Sequence, residues 1–167
     1  MIIRCTQKLA KKLSEVSAAP LAETSPLGSW TANLYTIDRR RCVLFCHDET
    51  RYVLFVAGLH KEQFEELGLL HRQLFLSLLA KQGVAETQLK KVAFALGPVR
   101  FDRATDRSVL GSMNVVLFYL ELHLERLADS RDEDTMKAVL TVNERPATVR
   151  GKVIWPDKAM MERIALL

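Results

Sequence analysis

Between Trp30 and Ala57 three apolar segments are separated only by turn-length polar stretches, and no other feature limits the fold as tightly. Trp30 to Ile37, Arg41 to Cys46 and Arg51 to Ala57 are of strand length. Asp38-Arg39-Arg40 joins the first pair and His47-Asp48-Glu49-Thr50 the second. Connections this short predict an antiparallel meander. Side chains alternate along a strand, so Cys42, Leu44 and Cys46 point one way and Val43 and Phe45 the other. In the next strand Tyr52, Leu54 and Val56 oppose Val53 and Phe55. Apolar residues on both faces predict a sheet covered on both sides.

The pattern changes after Gly58. Phe64, Leu67, His71, Leu74 and Leu78, widened by Leu70 and Phe75, form the stripe of a helix from His60 to Gln82, stopped by Gly83. Lys91 to Leu96 reads as a further strand, broken by Gly97-Pro98, and Arg100 to Thr105 as polar and irregular. Val109, Met113, Val116, Leu117, Leu120, Leu124 and Leu127 predict a long helix from Asp106 to Ala128. A shorter helix, Asp132 to Leu140, precedes the turn Asn143 to Pro146, and Lys158 to Leu166 is a last amphipathic helix. At the start, Ile2 to Thr6 is strand-like, and Thr6 caps a helix from Gln7 to Glu15. Ser17 to Gly28, with Pro20 and Pro26, reads as a mobile loop.

Strands come early and helices late, which predicts an α+β fold. Its expected form is a mostly antiparallel sheet with a central meander, packed against the two long helices, with Leu44, Phe55, Leu74, Val116 and Leu120 in the core. The 167 residues fit a single α+β domain, 1–167. A chain of 19.0 kDa hides about 70% of its surface on folding, enough for a core without staples.

Composition narrows the class of function. Hydrophobic residues are 49% and charged residues 26%, which excludes collagen-like and disordered chains. The longest uncharged run, Thr24 to Ile37, contains Pro26 and Gly28 and is too short for a membrane span. The opening residues lack a signal-peptide core, so the cytoplasm is the expected location. Cys5, Cys42 and Cys46 are an odd number at loose spacing, which is no disulfide framework. The net charge of +4 arises before residue 101, since residues 101–167 carry 10 basic and 11 acidic side chains. An excess this mild permits contact with a polyanion without requiring it.

No phosphate-binding glycine loop, zinc-protease helix or nucleophile elbow is present. Cys42, Cys46 and His47 look like metal ligands, but residues four apart on a strand are separated by about 13 Å. That is too far for one zinc, so no metal site and no cofactor are expected. His71 interrupts an apolar stripe and reads as a core histidine bonded to a backbone carbonyl rather than a general base. His47 and His60 fall at a turn and a helix start and are expected to be exposed. His123, beside Glu121 and Glu125, is placed near the surface. The adjacent acids Asp48-Glu49, Glu65-Glu66 and Asp132-Glu133-Asp134 are not held across a pocket, as acid–base catalysis requires.

Two polar clusters remain. Arg39, Arg40 and Arg41 crown a hairpin, with Lys8, Lys11 and Lys12 on the first helix. Guanidinium forks match phosphates, so the hairpin is a candidate nucleic-acid contact, with Tyr35 the nearby ring for stacking. The plainer reading is a solvated turn. The second cluster is Arg103, Arg107, Ser108, Ser112 and Asn114 around a predicted helix start, a candidate site for an anion or other ligand. The plainer reading there is a capped helix, with Gly111 allowing close packing.

Ile3-Arg4-Cys5-Thr6-Gln7-Lys8-Leu9, Trp30-x-Ala32-Asn33-Leu34, Arg40-Arg41-Cys42-Val43-Leu44-Phe45 and Arg107-Ser108-Val109-Leu110-Gly111-Ser112-Met113-Asn114 occur in this order. They resemble a family of small bacterial proteins classed as a domain of unknown function, with weaker similarity to segments of plasmid Orf-3-like proteins. The resemblance implies a bacterial, cytoplasmic protein and carries over no catalytic residue. Two functions follow as expectations. The first is a non-catalytic binding or regulatory module with a protein or nucleic-acid partner and no membrane. The alternative is an enzyme acting on a phosphate-bearing small molecule at the helix start near Asp106.

Overall fold

The structure, a computed structural model, describes residues 1–123 and 132–167. Among the described residues there are seven strands: β1 (Ile2–Cys5), β2 (Trp30–Ile37), β3 (Arg40–His47), β4 (Val53–Val56), β5 (Arg100–Asp102), β6 (Ala147–Val149) and β7 (Lys152–Ile154). The described helices are α1 (Gln7–Ala10), α2 (Leu67–Lys81), α3 (Glu86–Leu96), α4 (Arg107–His123), α5 (Asp132–Asn143) and α6 (Pro156–Ala165). The fold is α+β, with one five-stranded sheet ordered β4-β3-β2-β1-β5 and a small β6–β7 hairpin.

The meander forms as its spacing predicts. β2 and β3 pair from Trp30↔His47 to Ile37↔Arg40, which leaves a two-residue loop, Asp38-Arg39. Both loop residues lie in the left-handed region, at φ 47° and 62°, the twist that a two-residue hairpin demands. β4 adds antiparallel to β3, with Phe45 opposite Leu54. The sheet as a whole is mixed, because β1 runs parallel to both β2 and β5. Parallel neighbours need a long crossover, and residues 6–29 supply it between β1 and β2.

Both faces of β3 are buried from Cys42 to His47. Register places Ile3, Trp30, Ala32, Phe45 and Leu54 on one face. There α2 lays His71 edge-on against Trp30 and Phe45, at ring separations of 4.6 and 5.0 Å. α4 packs against β3 and α5 against β4. Of the five expected core residues, Leu44, Phe55 and Leu120 are buried, while Leu74 and Val116 are half-buried at its margin.

Several elements differ from the sequence reading. Lys91 to Leu96 is the end of helix α3 and not a strand. Leu89, Val92 and Leu96 share one helical face, and that spacing wins over the short alternation: Val92 and Leu96 are buried and Phe94 is 89% exposed. Arg100 to Thr105 is not wholly irregular, because Arg100–Asp102 pairs with β1. The first helix ends at Ala10, and in place of the predicted first turns of α2 there is only a 3₁₀ turn at Glu62–Phe64. The β6–β7 hairpin was hidden by its brevity and turns at Arg150-Gly151, both at positive φ. For the helix predicted to Ala128, the last five positions lie outside the described residues, as do Leu124, Glu125 and Leu127.

Candidate functional site

Arg39, Arg40 and Arg41 are exposed at the β2–β3 tip. The chain leaving β4 turns at Gly58, where φ is 74°, and comes back beside them, with the Leu59 N–H donating to the Arg41 carbonyl at 2.9 Å. This brings His60 and Lys61 to the arginines, and all five side chains line one open cleft with Gly58 and Leu59. His60, expected to be exposed, is. Asp38 in the turn and Glu62 after Lys61 are the nearest acids in the chain on either side. Tyr35 is half-buried with its hydroxyl inside, so its ring is not presented at the tip. Lys8, Lys11 and Lys12 are exposed on and after α1. The convergence of Lys61 on the hairpin could not be read from spacing, because it depends on the return at Gly58.

The opposite end of β3 carries a partly buried polar cluster. Asp48 accepts from the hydroxyls of Ser29 at 2.6 Å and Thr31 at 2.7 Å, and pairs with the Arg4 guanidinium at 3.2 Å. Arg4 also donates to the Ala104 carbonyl at 3.1 Å, which ties β1 to the segment entering α4. Arg51 is 4% exposed and sits at φ 60°. Its guanidinium donates to Ser112 Oγ at 3.2 Å, to Ser108 Oγ at 3.0 Å and to the Asp48 carbonyl. At the helix start the Asp106 carboxylate accepts the Ser108 N–H at 2.6 Å. The α4 N-terminus is therefore capped from within the chain, and a negative charge already occupies its dipole. Arg103, Arg107 and Asn114 are exposed around it, and Ser108 and Ser112 turn to Arg51. Arg4, Asp48 and Arg51 escaped the sequence reading because nothing in a linear pattern marks charges that distant segments will bring together.

Both internal histidines correct expectations. His47 is fully buried, not exposed. Its Nε2–H donates to the Leu27 carbonyl at 2.6 Å, and its Nδ1 accepts the Thr50 N–H at 3.1 Å. Burial, opposed by the Leu27 bond, pushes its pKa down to about 4. His71 is buried as expected, but among the described residues neither ring nitrogen has a hydrogen-bond partner. Burial, with His47 adding to it, lowers its pKa to about 3. All three cysteines are buried free thiols, and burial raises Cys5 and Cys46 to about 12, which leaves them unreactive. Among the described residues no three His, Cys, Asp or Glu side chains gather as metal ligands. No described helix is long and apolar enough to cross a membrane.

The sequence pattern of one protein family, described as a domain of unknown function (DUF6933), matches residues 2–159. The chain belongs to that family. The match takes in both the arginine hairpin and the Arg51 cluster. A search of curated proteins found no match. Among solved structures, a chain of the cryo-EM structure of the simian T-cell lymphotropic virus intasome in complex with PP2A regulatory subunit B56 gamma is similar at 8% identity. The likeness covers 87% of this chain and 59% of that one with a TM-score of 0.46, too low to support an argument about this family.

Proposed function

We propose that this chain is a non-catalytic binding module of regulatory role, acting as a single domain, that contacts nucleic acid through the arginine hairpin. The observation that carries this reading is the convergence of Arg39, Arg40, Arg41, His60 and Lys61 on one exposed cleft. Arginine forks grip phosphate oxygens bidentately, and an open cleft suits a continuous backbone better than a small ligand. A bacterial cytoplasm is the proposed setting. The resemblance to small bacterial proteins supports it, and three free buried thiols fit a reducing compartment. The enzyme reading at the α4 start is weaker, because Asp106 and Arg51 already engage the donors and hydroxyls that a phosphate would use there. The reading is tested by fluorescence anisotropy with labelled duplex and single-stranded oligonucleotides at low salt. Saturable binding that Arg39→Ala/Lys61→Ala weakens, in protein of unchanged circular dichroism, is expected. Binding that the double substitution leaves intact would place the contact elsewhere.

A further inference from the structure

Arg51 is a buried cation without an ion-pair partner among the described residues. Among the described residues no carboxylate lies within ion-pair distance of it, because the nearby Asp48 carboxylate is turned to Arg4 and offers Arg51 only its backbone carbonyl. A guanidinium has five N–H donors, and three are engaged by Ser108, Ser112 and Asp48. A charge removed from water without a counter-charge is costly, so an arrangement of this kind points to a missing anion. Arg51 also sits in the left-handed region, where glycine or asparagine is the usual choice.

Arg51 lines a cavity of about 310 Å³ between α4, the end of α5 and β6. Among the described residues no acidic side chain lines it. Arg145, an exposed residue at the same cavity, stacks its guanidinium on the Tyr119 ring at 3.7 Å and likewise has no carboxylate partner among the described residues. The remaining wall is mainly apolar, including Val115, Val142 and Pro146. Two cations over an apolar wall define the ligand chemistry. From this geometry we infer a binding site for a small oxyanion carried on an apolar body the size of one ring. The anion would meet the two unused donors of Arg51 inside the cavity, Arg145 would close over it, and the body would lie on the valine and proline wall. The site is separate from the arginine hairpin, at the opposite end of β3.

The test is a thermal-shift and calorimetric titration of the whole chain with benzoate, phenyl phosphate, inorganic phosphate and the neutral benzamide. The benzoate and phenyl phosphate arms distinguish a carboxylate from a phosphate ligand. A Cβ added at Gly111, which lines the cavity, meets no atom within 4 Å, so Gly111→Leu adds bulk at the cavity wall without a clash at its Cβ and is designed to obstruct the site. The expected result is saturable binding of one or both aromatic anions in the millimolar range or tighter, at least tenfold weaker for benzamide. It should be lost in Gly111→Leu and weakened in Arg145→Ala, with both variants folded. Absence of saturable binding by either aromatic anion, equal binding of benzamide, or binding that survives Gly111→Leu would each overturn the assignment.

Discussion

Asn143, the last residue of α5, bonds both backbone groups of Val53 across 90 positions of sequence: its Oδ1 accepts the Val53 N–H at 2.7 Å and its Nδ2 donates to the Val53 carbonyl at 3.0 Å. β4 is an edge of the five-stranded sheet, and a side-chain amide here takes the place of a further strand. Asn143 is 1% exposed, so water cannot replace it. Asn143→Ala should destabilise the fold by about 2–4 kcal/mol, since it strands a buried donor and acceptor. Urea denaturation measures this, and a loss under about 0.5 kcal/mol, the level of an ordinary surface change, would show that the edge does not depend on the amide.

His47 and His71 flank Trp30, with ring separations of 5.2 and 4.6 Å. Their folded pKa values, about 4 and about 3, lie below the unfolded 6.5. Above pH 6.5 neither state is protonated and stability is complete. As pH falls, the unfolded chain takes up protons that the folded chain refuses, so stability drops by up to about 1.4 kcal/mol per pH unit for each histidine. The fall ends for each once its folded ring protonates, near pH 4 for His47 and near pH 3 for His71. His71→Leu should reduce this acid slope by about half and hold or raise stability at neutral pH, because the replaced ring makes no hydrogen bond among the described residues. Urea midpoints across this range give the slope directly, and an unchanged slope in the variant contradicts the assignment.

Two helical glycines should respond in opposite directions to alanine. A Cβ on Gly68 would lie 2.9 Å from Val99 Cβ, where α2 approaches the segment before β5, so Gly68→Ala should destabilise by about 1–3 kcal/mol. A Cβ on Gly111 meets open space, so Gly111→Ala should stabilise by up to about 1 kcal/mol through helix propensity. Thermal unfolding of the pair gives two signs in one experiment, and the same sign for both contradicts the packing described.

The meander was legible because its turns are short and local: Trp30–Ile37 forms as predicted, and β3 extends its prediction by one residue at each end. α2 and α4 were legible in their stripes, although His60 to Glu66 was read into α2 when that stretch holds only a 3₁₀ turn at Glu62–Phe64. Lys91 to Leu96 was misread because six residues satisfy both a strand and a helix period, and only the preceding Glu86 to Lys90 decides between them. β5 was invisible because three residues become a strand only by pairing with β1. At the candidate sites the arginine hairpin was readable as a run of charge. Lys61 beside it, and Arg51 buried under Ser108 and Ser112, depend on contacts between distant segments that no local pattern records.

Contact with nucleic acid through the hairpin is tested most directly by how affinity depends on salt. Each phosphate neutralised on duplex DNA contributes about −0.9 to the slope of log affinity against log salt. Arg39→Ala/Arg40→Ala should flatten that slope by up to about two units, while exposed turn changes of this kind leave stability within about 0.5 kcal/mol. Duplex and single-stranded probes are titrated side by side against the wild-type chain and the double variant. The prediction is a steep wild-type slope and a shallower one in the variant. Failure of folded protein to retain either probe at low salt, or equal slopes in the two proteins, would contradict it.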